Sequence, residues 1–338
     1  MTESNQKPTI VIAGAGSIGC FVGGVLARNG ADVRFLGRDR IASMLRANGL
    51  KLTDHQGLDA LIPAQNVKIG TEPTVLADAE IVLVTVKSGA TGEMARLIAD
   101  YAPREVIIVS LQNGAQNAEV LRAALPNRDV RAGMVAYNVL NAGDGRFHRG
   151  TAGGIVLEAG TPDVAAILAG PDLPVHASSD IRAVQWGKLL VNLNNALNAL
   201  SGEPLRDELL NQKWRALLAD QISEGLAALS AEGINPRSAF KVPLKIAPHL
   251  MRLPTPLYKV LAGRSFNVDP EARSSMWEDL ESGRKTEVDA LQGAIVALCE
   301  KHGLTAPVNA RVMALIREAE KAGKGSPALD PANVRAGL

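Results

Sequence analysis

The chain has 338 residues, with 36 Lys or Arg against 35 Asp or Glu and a formal charge of +1. That balance argues against a nucleic-acid binder, which needs a marked basic excess, and a hydrophobic share of 46% excludes a mainly disordered chain. Aromatic residues are only 3% while glycines number 32, so the core must be aliphatic and closely packed, as where helices cover a parallel sheet.

In chain order, residues 9–13 (TIVIA) read as a short buried strand, 17–29 as a helix and 32–36 (DVRFL) as a second strand. Ile10 to Ala27 is also free of charge, near the length of a membrane span. It nevertheless contains Gly14, Gly16, Gly19, Gly23 and Gly24, too many for a lone spanning helix. Strand, glycine turn and buried helix explain it better, so a cytoplasmic protein without a membrane segment is expected. Further apolar runs at Ile81–Val86, Val106–Leu111 and Val130–Val135 alternate with helix-like stretches at 91–100 and 116–125, the pattern of a parallel α/β sheet. Residues 145–160 read as hairpin-like strands at the far end of this domain. Cys20 and Cys299 sit in apolar stretches and read as buried thiols of a reducing compartment; no zinc-ligand spacing accompanies them.

After Pro174 helical periodicity takes over, from Ile181 to Glu232. Pro243, Pro248, Pro254, Pro256 and Pro270 predict short helices and loops over 236–270, and long helices follow near 286–302 and 307–321. The expected architecture is α/β, a Rossmann-type N-terminal domain (residues 1–177) followed by an all-α C-terminal domain (178–338).

Gly14-Ala15-Gly16-Ser17-Ile18-Gly19 lies between predicted strand and predicted helix. The first glycine suits a tight turn, the second a close backbone approach to pyrophosphate, and the third close helix–strand packing. The helix start at Ser17, Ile18 and Gly19 then offers amide donors and a positive dipole end. An acidic residue roughly 20 positions on would mark an NAD site, but the second strand ends in Leu36-Gly37-Arg38-Asp39-Arg40. A guanidinium matches a 2′-phosphate in charge and geometry, which favours NADP(H) through Arg38. Arg40 could serve instead, Asp39 could act as a ribose acid, and the plain alternative is a solvated charged loop.

Residues 185–201 read QWGKLLVNLNNALNALS. On one helix with Lys188 at 0°, Asn192 falls at about 40° and Asn195 at about 340°, apart from a leucine stripe. The alternative is a solvated face, but asparagine is a mediocre helix former, and amides beside one lysine suit a carboxylate or carbonyl ligand. Gln112-Asn113-Gly114 stands at a strand end, where open α/β sheets bind ligands; an ordinary Asn-Gly turn is the other reading. Around Glu287, Thr286 could simply cap a helix whose positive end Glu287 and Asp289 favour.

Together these segments resemble the ketopantoate reductase (2-dehydropantoate 2-reductase) family, within the 6-phosphogluconate-dehydrogenase-like group. The resemblance spans nearly the whole chain and rests on GAGSIG at 14–19, Lys87 after IVLVTV, QNG at 112–114, WGKLLVN at 186–192 and SSMWEDLESGRKTEVDALQG at 274–293. It implies NADPH-dependent reduction of 2-dehydropantoate to pantoate, a step of pantothenate biosynthesis, with a small α-keto acid as substrate and no nucleic-acid or membrane partner. A homodimer is compatible with it. By the same resemblance Lys188 is the general acid, Glu287 the acidic residue of the site, and Asn113, Asn192, Asn195 and Ser275 hold substrate. Arg38 and Lys87 hold cofactor, with Asn113 and Glu287 beside it. The chain departs from the family at Ala90, where a glutamine is common, and at Ala196, where a second asparagine is usual; Asn195 takes that place only if the helix is one residue shorter. The stretch from Lys241 to Pro270 is longer than in compact members. Two other readings stay open: an NADP-dependent reductase of another keto acid, and a non-catalytic NADP(H)-binding sensor.

Overall fold

In the computed structural model, which describes residues 7–238, 243–262 and 272–338, the chain divides into two compact units, Met1–Ile181 and Arg182–Leu338. In the first, the alternation of short apolar runs and amphipathic stretches becomes β1 (Thr9–Ala13), α1 (Ser17–Arg28), β2 (Asp32–Leu36), α2 (Asp39–Asn48), β3 (Leu50–Asp54), β4 (Asp59–Ile62), β5 (Lys68–Gly70), β6 (Ile81–Val84), α3 (Thr91–Tyr101), β7 (Ile107–Ser110), α4 (Asn117–Ala124), β8 (Asp129–Val135), β9 (Val139–Asn141), β10 (Arg146–Arg149), β11 (Ile155–Glu158), α5 (Val164–Leu168) and β12 (Val175–Ser178).

The main sheet has the order β12-β11-β8-β7-β6-β1-β2-β5. From β8 to β5 in that order the strands run parallel, β11 reverses against β8, and β12 lies parallel to β11. Because side chains alternate along a strand, β1 and β6 feed two cores. Ile10, Ile12 and Leu83 pack with Phe21 and Val22 of α1, while Val11, Val82 and Val84 pack with Met94 and Ile98 of α3 and Leu121 of α4. Both faces are covered, which is why these strands are apolar throughout. Chain order reverses at β1, whose neighbours are β2 and β6. Open α/β sheets bind ligands outside the carboxyl ends of their strands at such a point.

A second sheet, β4-β3-β10-β9, packs on α1. An added Cβ at Gly23 would stand 2.5 Å from Phe35, and one at Gly24 would stand 2.9 Å from Leu50 and Leu52. The glycines that disqualify Ile10–Ala27 as a membrane span therefore let one helix fit between two sheets. The expected hairpin at 145–160 does not form: β10 pairs with β3 and β9, whereas β11 pairs with β8 and β12. The glycines at 150, 153 and 154 part them, and Gly153 has φ +143°.

The described part of the second unit is helical: α6 (Ile181–Asn192), α7 (Asn194–Ser201), α8 (Leu205–Leu210), α9 (Gln212–Ala231), α10 (Ala247–Met251), α11 (Thr255–Ala262), α12 (Ser275–Glu281), α13 (Val288–Lys301), α14 (Pro307–Ala322) and α15 (Pro331–Arg335). Helix α9 buries Trp214, Leu217, Leu218, Ile222 and Leu229, each worth about 1.5–3 kcal/mol of apolar burial. Its C-terminal Glu232 pairs with Arg182, Lys301 and His302 at 2.8, 2.7 and 2.6 Å; these partners pull its carboxyl down to about 2. The short helices expected over 236–270 include α10 and α11, while residues 239–242 and 263–271 lie outside the described residues. Among the described residues no helix is long and apolar enough to cross a membrane. Cys20 and Cys299 are free and buried.

Candidate functional site

The glycine turn after β1 is held by the backbone around it. It folds back on β2: the amides of Gly14 and Ala15 both donate to Leu36 O, at 3.1 and 3.0 Å. Gly14 has φ +115°, and a Cβ there would lie 2.7 Å from Val86 Cγ1. At Gly19 a Cβ would collide with Gly14 O and lie 2.5 Å from Thr85 Oγ1. These two glycines are required by the protein's own packing. Gly16 is different: its Cβ would meet nothing nearer than Thr85 O at 4.0 Å. The fold itself leaves room for a side chain there, so the space beside Gly16 suits a ligand that must approach the backbone. Gly16 is also the N-cap of α1 and brings no capping side chain, while helix geometry leaves the amides of Ser17, Ile18 and Gly19 without intrahelical acceptors. This cradle fits a pyrophosphate.

Beyond β2, Gly37 continues the same edge; a Cβ on it would stand 2.8 Å from Ala15 Cβ. Arg38 is the exposed N-cap of α2 and Asp39 its first residue. Among the described residues no ion pair engages Arg38 or Arg40. Lys87 and Asn113 follow β6 and β7 at the carboxyl edge of the sheet, and a polar cluster fastens their two loops together. Gln112 Nε2 donates to Val86 O (3.0 Å) and Thr91 Oγ1 (2.7 Å). Asn117 Nδ2 donates to Ser88 Oγ (3.0 Å) and Asn113 O (2.6 Å). Thr91, Gln112 and Asn117 are buried, so each missing partner would cost about 1–3 kcal/mol. Asn113-Gly114 lies in a bend, with Gly114 at φ +87°, that the cluster holds at the strand end.

In the second unit, α6 is clamped on either side of Lys188. At Gly187 a Cβ would overlap Arg237 O, and Arg237 N donates to Ala183 O at 2.9 Å. Leu190 packs over Gly225 of α9, where a Cβ would collide with it. Lys188 is half-buried, and burial lowers its pKa below the usual lysine range. Among the described residues no hydrogen bond or ion pair engages its ammonium. Asn192, one turn on, is buried. The single helix expected over 185–201 is interrupted: α6 ends at Asn192 and α7 begins at Asn194. Gln292 Nε2 of α13 donates to Leu193 O at 2.9 Å, tying the residue between the two helices to α13. Past this break Asn195 is half-buried and Ala196 is fully buried.

Ser274 caps α12. Its Oγ accepts from Trp277 N (3.2 Å) and donates to Asn195 O (2.9 Å), while its amide donates to Asn198 Oδ1 (2.8 Å). These bonds join the start of α12 to α7 and hold exposed Ser275 beside the Asn195 backbone. Glu287 is the N-cap of α13, but its side chain makes no cap bond. Thr286 Oγ1 accepts from Val288 N at 3.3 Å, and Asp289 pairs with Arg317 at 2.6 Å. Capping thus falls to Thr286, and Glu287 is not spent on it.

Sequence reasoning missed the groups that hold the candidates in place. Thr85 Oγ1 donates to Gly14 O at 2.6 Å, and Thr91, Asn117, Asn198 and Gln292 serve as described above. The polar residues inside otherwise apolar helices were the available signal. Among the described residues no group of three or more His, Cys, Asp or Glu could hold a metal ion.

Residues 10–161 match the family model described as ketopantoate reductase PanE/ApbA, and 180–320 match its C-terminal companion. Among curated relatives, a 2-dehydropantoate 2-reductase of Archaeoglobus fulgidus is 30% identical over 92% of this chain and 97% of its own length. One of Halobacterium salinarum is 28% identical over 93% and 99%. A PanE/ApbA family ketopantoate reductase structure from Ralstonia eutropha superposes with a TM-score of 0.81 at 29% identity, covering 94% of this chain and 99% of that one. With matches across both units and over nearly the full length of these relatives, the chain belongs to the ketopantoate reductase family of oxidoreductases.

Proposed function

We propose that this chain reduces 2-dehydropantoate to pantoate with NADPH, with Lys188 as the proton donor. The observation that carries this reading is Lys188 itself: an ammonium whose proton burial makes easier to release, without an anionic partner among the described residues, one helical turn from a buried asparagine amide. A half-buried cation without a counter-ion is costly for stability alone, but it suits a group that must give up a proton to substrate.

When bound, the reduced nicotinamide supplies a hydride to the ketone carbon. Ser17, Ile18 and Gly19 donate backbone amides to the pyrophosphate, and Gly14 and Gly16 keep the turn narrow enough to admit it. Arg38 pairs with the 2′-phosphate, with Arg40 the neighbouring cation, and Lys87 adds positive charge after β6. Asn113 serves nicotinamide and substrate. As negative charge develops on the ketone oxygen, Lys188 Nζ stabilises it and passes a proton to it, so the product is a 2-hydroxy acid and the lysine is recharged from solvent. Asn192 and Asn195 orient the substrate, Ser275 receives its carboxylate, and Glu287 binds the substrate hydroxyl and the cofactor.

A second reading, reduction of a different 2-keto acid on the same scaffold, is favoured by Ala90 and Ala196, where the family usually carries amides. Initial rates of NADPH oxidation across a panel of 2-keto acids, with NADH in parallel, test both. The expected result is the highest kcat/KM with 2-dehydropantoate and NADPH. A better keto acid supports the second reading, and a preference for NADH refutes the role of Arg38. Tight NADPH binding with no turnover on any member would instead support a sensor.

A further inference from the structure

Helix α8 carries a carboxyl that the proposed reaction does not use. Glu208 is 1% exposed. Its Oε2 accepts from Asn198 Nδ2 at 2.7 Å. Its Oε1 is buried with no hydrogen bond among the described residues, and so is Oδ1 of Asn194, whose amide lies close enough to the Glu208 carboxyl to pull its pKa down, against the larger upward push of burial. Neighbouring buried acceptors without a donor mark a missing proton, because an unmet buried polar atom is rare in a folded protein.

The surrounding charges point the same way. Helix α7 presents the amides of Asn194 and Asn198, which favour the charged carboxylate but carry no charge themselves, and the loop before α8 presents Glu203, which repels a charge on Glu208. Arg215 of α9 donates to Leu209 O, Met251 O and Leu253 O and stacks on Tyr258. Arg273 donates to Gly202 O. Neither arginine forms an ion pair with Glu208 among the described residues. Burial pushes the Glu208 carboxyl up to about 8.

The Asn198 amide connects this carboxyl to the candidate substrate residues. Its Nδ2 donates to Glu208 Oε2 and to Glu203 O (2.9 Å), and its Oδ1 accepts from Ser274 N. Ser274 in turn bonds Asn195 O and starts the helix that opens with Ser275. We propose that Glu208 is a proton-held positioning residue: its neutral carboxyl donates from Oε1 into the Asn194–Asn198 cluster and sets the α7–α12 junction, and loss of that proton loosens the junction and weakens keto-acid binding. The kinetic half of this proposal rests on the reductase reading; the proton itself does not.

The test compares wild type with Glu208→Gln, which is isosteric with the neutral acid. The infrared spectrum of the wild type should show a buried carboxylic-acid carbonyl band that disappears as pH rises through about 8, a change that can be followed without any variant. The band should be missing from E208Q. The unfolded carboxyl ionises in the ordinary range, about 4.3, while the folded one stays protonated. Wild type should therefore lose thermal stability relative to E208Q between roughly pH 5 and 8, with the gap levelling above that. The KM for the keto acid should rise by up to about tenfold per pH unit above the transition in wild type and stay flat in E208Q, whereas the kcat profiles coincide. Absence of the band, or parallel stability profiles, overturns the proton on Glu208. A band with coincident KM profiles overturns its coupling to the substrate residues. If wild type turns over no keto acid, the reductase reading fails, and the spectrum and stability profiles still decide the proton.

Discussion

The proposed chemistry turns on one lysine and one arginine. Burial lowers the pKa of Lys188, and ketone reduction needs it protonated, so kcat should fall as pH rises, with the midpoint below the ordinary lysine value of about 10.4. A kcat flat up to that pH would remove Lys188 from the proton transfer. Arg38, exposed at the start of α2, should act on the 2′-phosphate alone. Arg38→Ala should raise the KM for NADPH at least ~10-fold, the size of a lost charge-assisted hydrogen bond, and leave the NADH rate nearly unchanged. Equal losses with both cofactors would contradict that role. Lys188 and Asn192 were legible because a turn of helix separates them, a spacing any sequence displays. Thr85, Asn198 and Glu208 were not. Thr85 bonds Gly14 across 71 positions, and Asn198 bonds Ser274 across 76, and such pairings leave no local periodicity.

At the scale of elements, the three motif glycines do different work, and substitution can separate them. Gly14→Ala must place a side chain at positive φ and against Val86, so it should cost about 1–3 kcal/mol or more in chemical denaturation. Gly16→Ala meets no protein atom nearer than 4.0 Å. It should leave stability within about 0.5 kcal/mol and weaken NADPH binding at least ~10-fold by titration. Unchanged NADPH affinity in Gly16→Ala would contradict the pyrophosphate cradle. The strand–turn–helix was readable because its apolar run and glycines are contiguous. The β4-β3-β10-β9 sheet was not: β3 reads LKLTD and β4 reads DALI, neither an unbroken apolar run of strand length, and β10 joins them from some 90 residues away. The Gln292 amide that bonds Leu193 O between α6 and α7 was hidden for a related reason, since it lies 99 positions away on another helix.

Across the whole molecule, the near-zero charge and the glycine surplus acquire a physical meaning. In the proposed reaction a few placed cations, Arg38 and Lys87 in the first unit and Lys188 in the second, meet anionic small molecules without a net basic charge. The glycines serve close packing, of α1 between two sheets and of α6, the helix that carries Lys188, against Arg237 and α9. Membership of the ketopantoate reductase family follows from matches over both units; the chemistry proposed for this chain depends on Lys188. The most direct test is the turnover of 2-dehydropantoate with NADPH by wild type and Lys188→Ala, each first shown to be folded. Wild type is expected to turn over, with a kcat at least ~10²-fold lower in the variant, the usual size of a general-acid contribution. Comparable turnover by both proteins would contradict it.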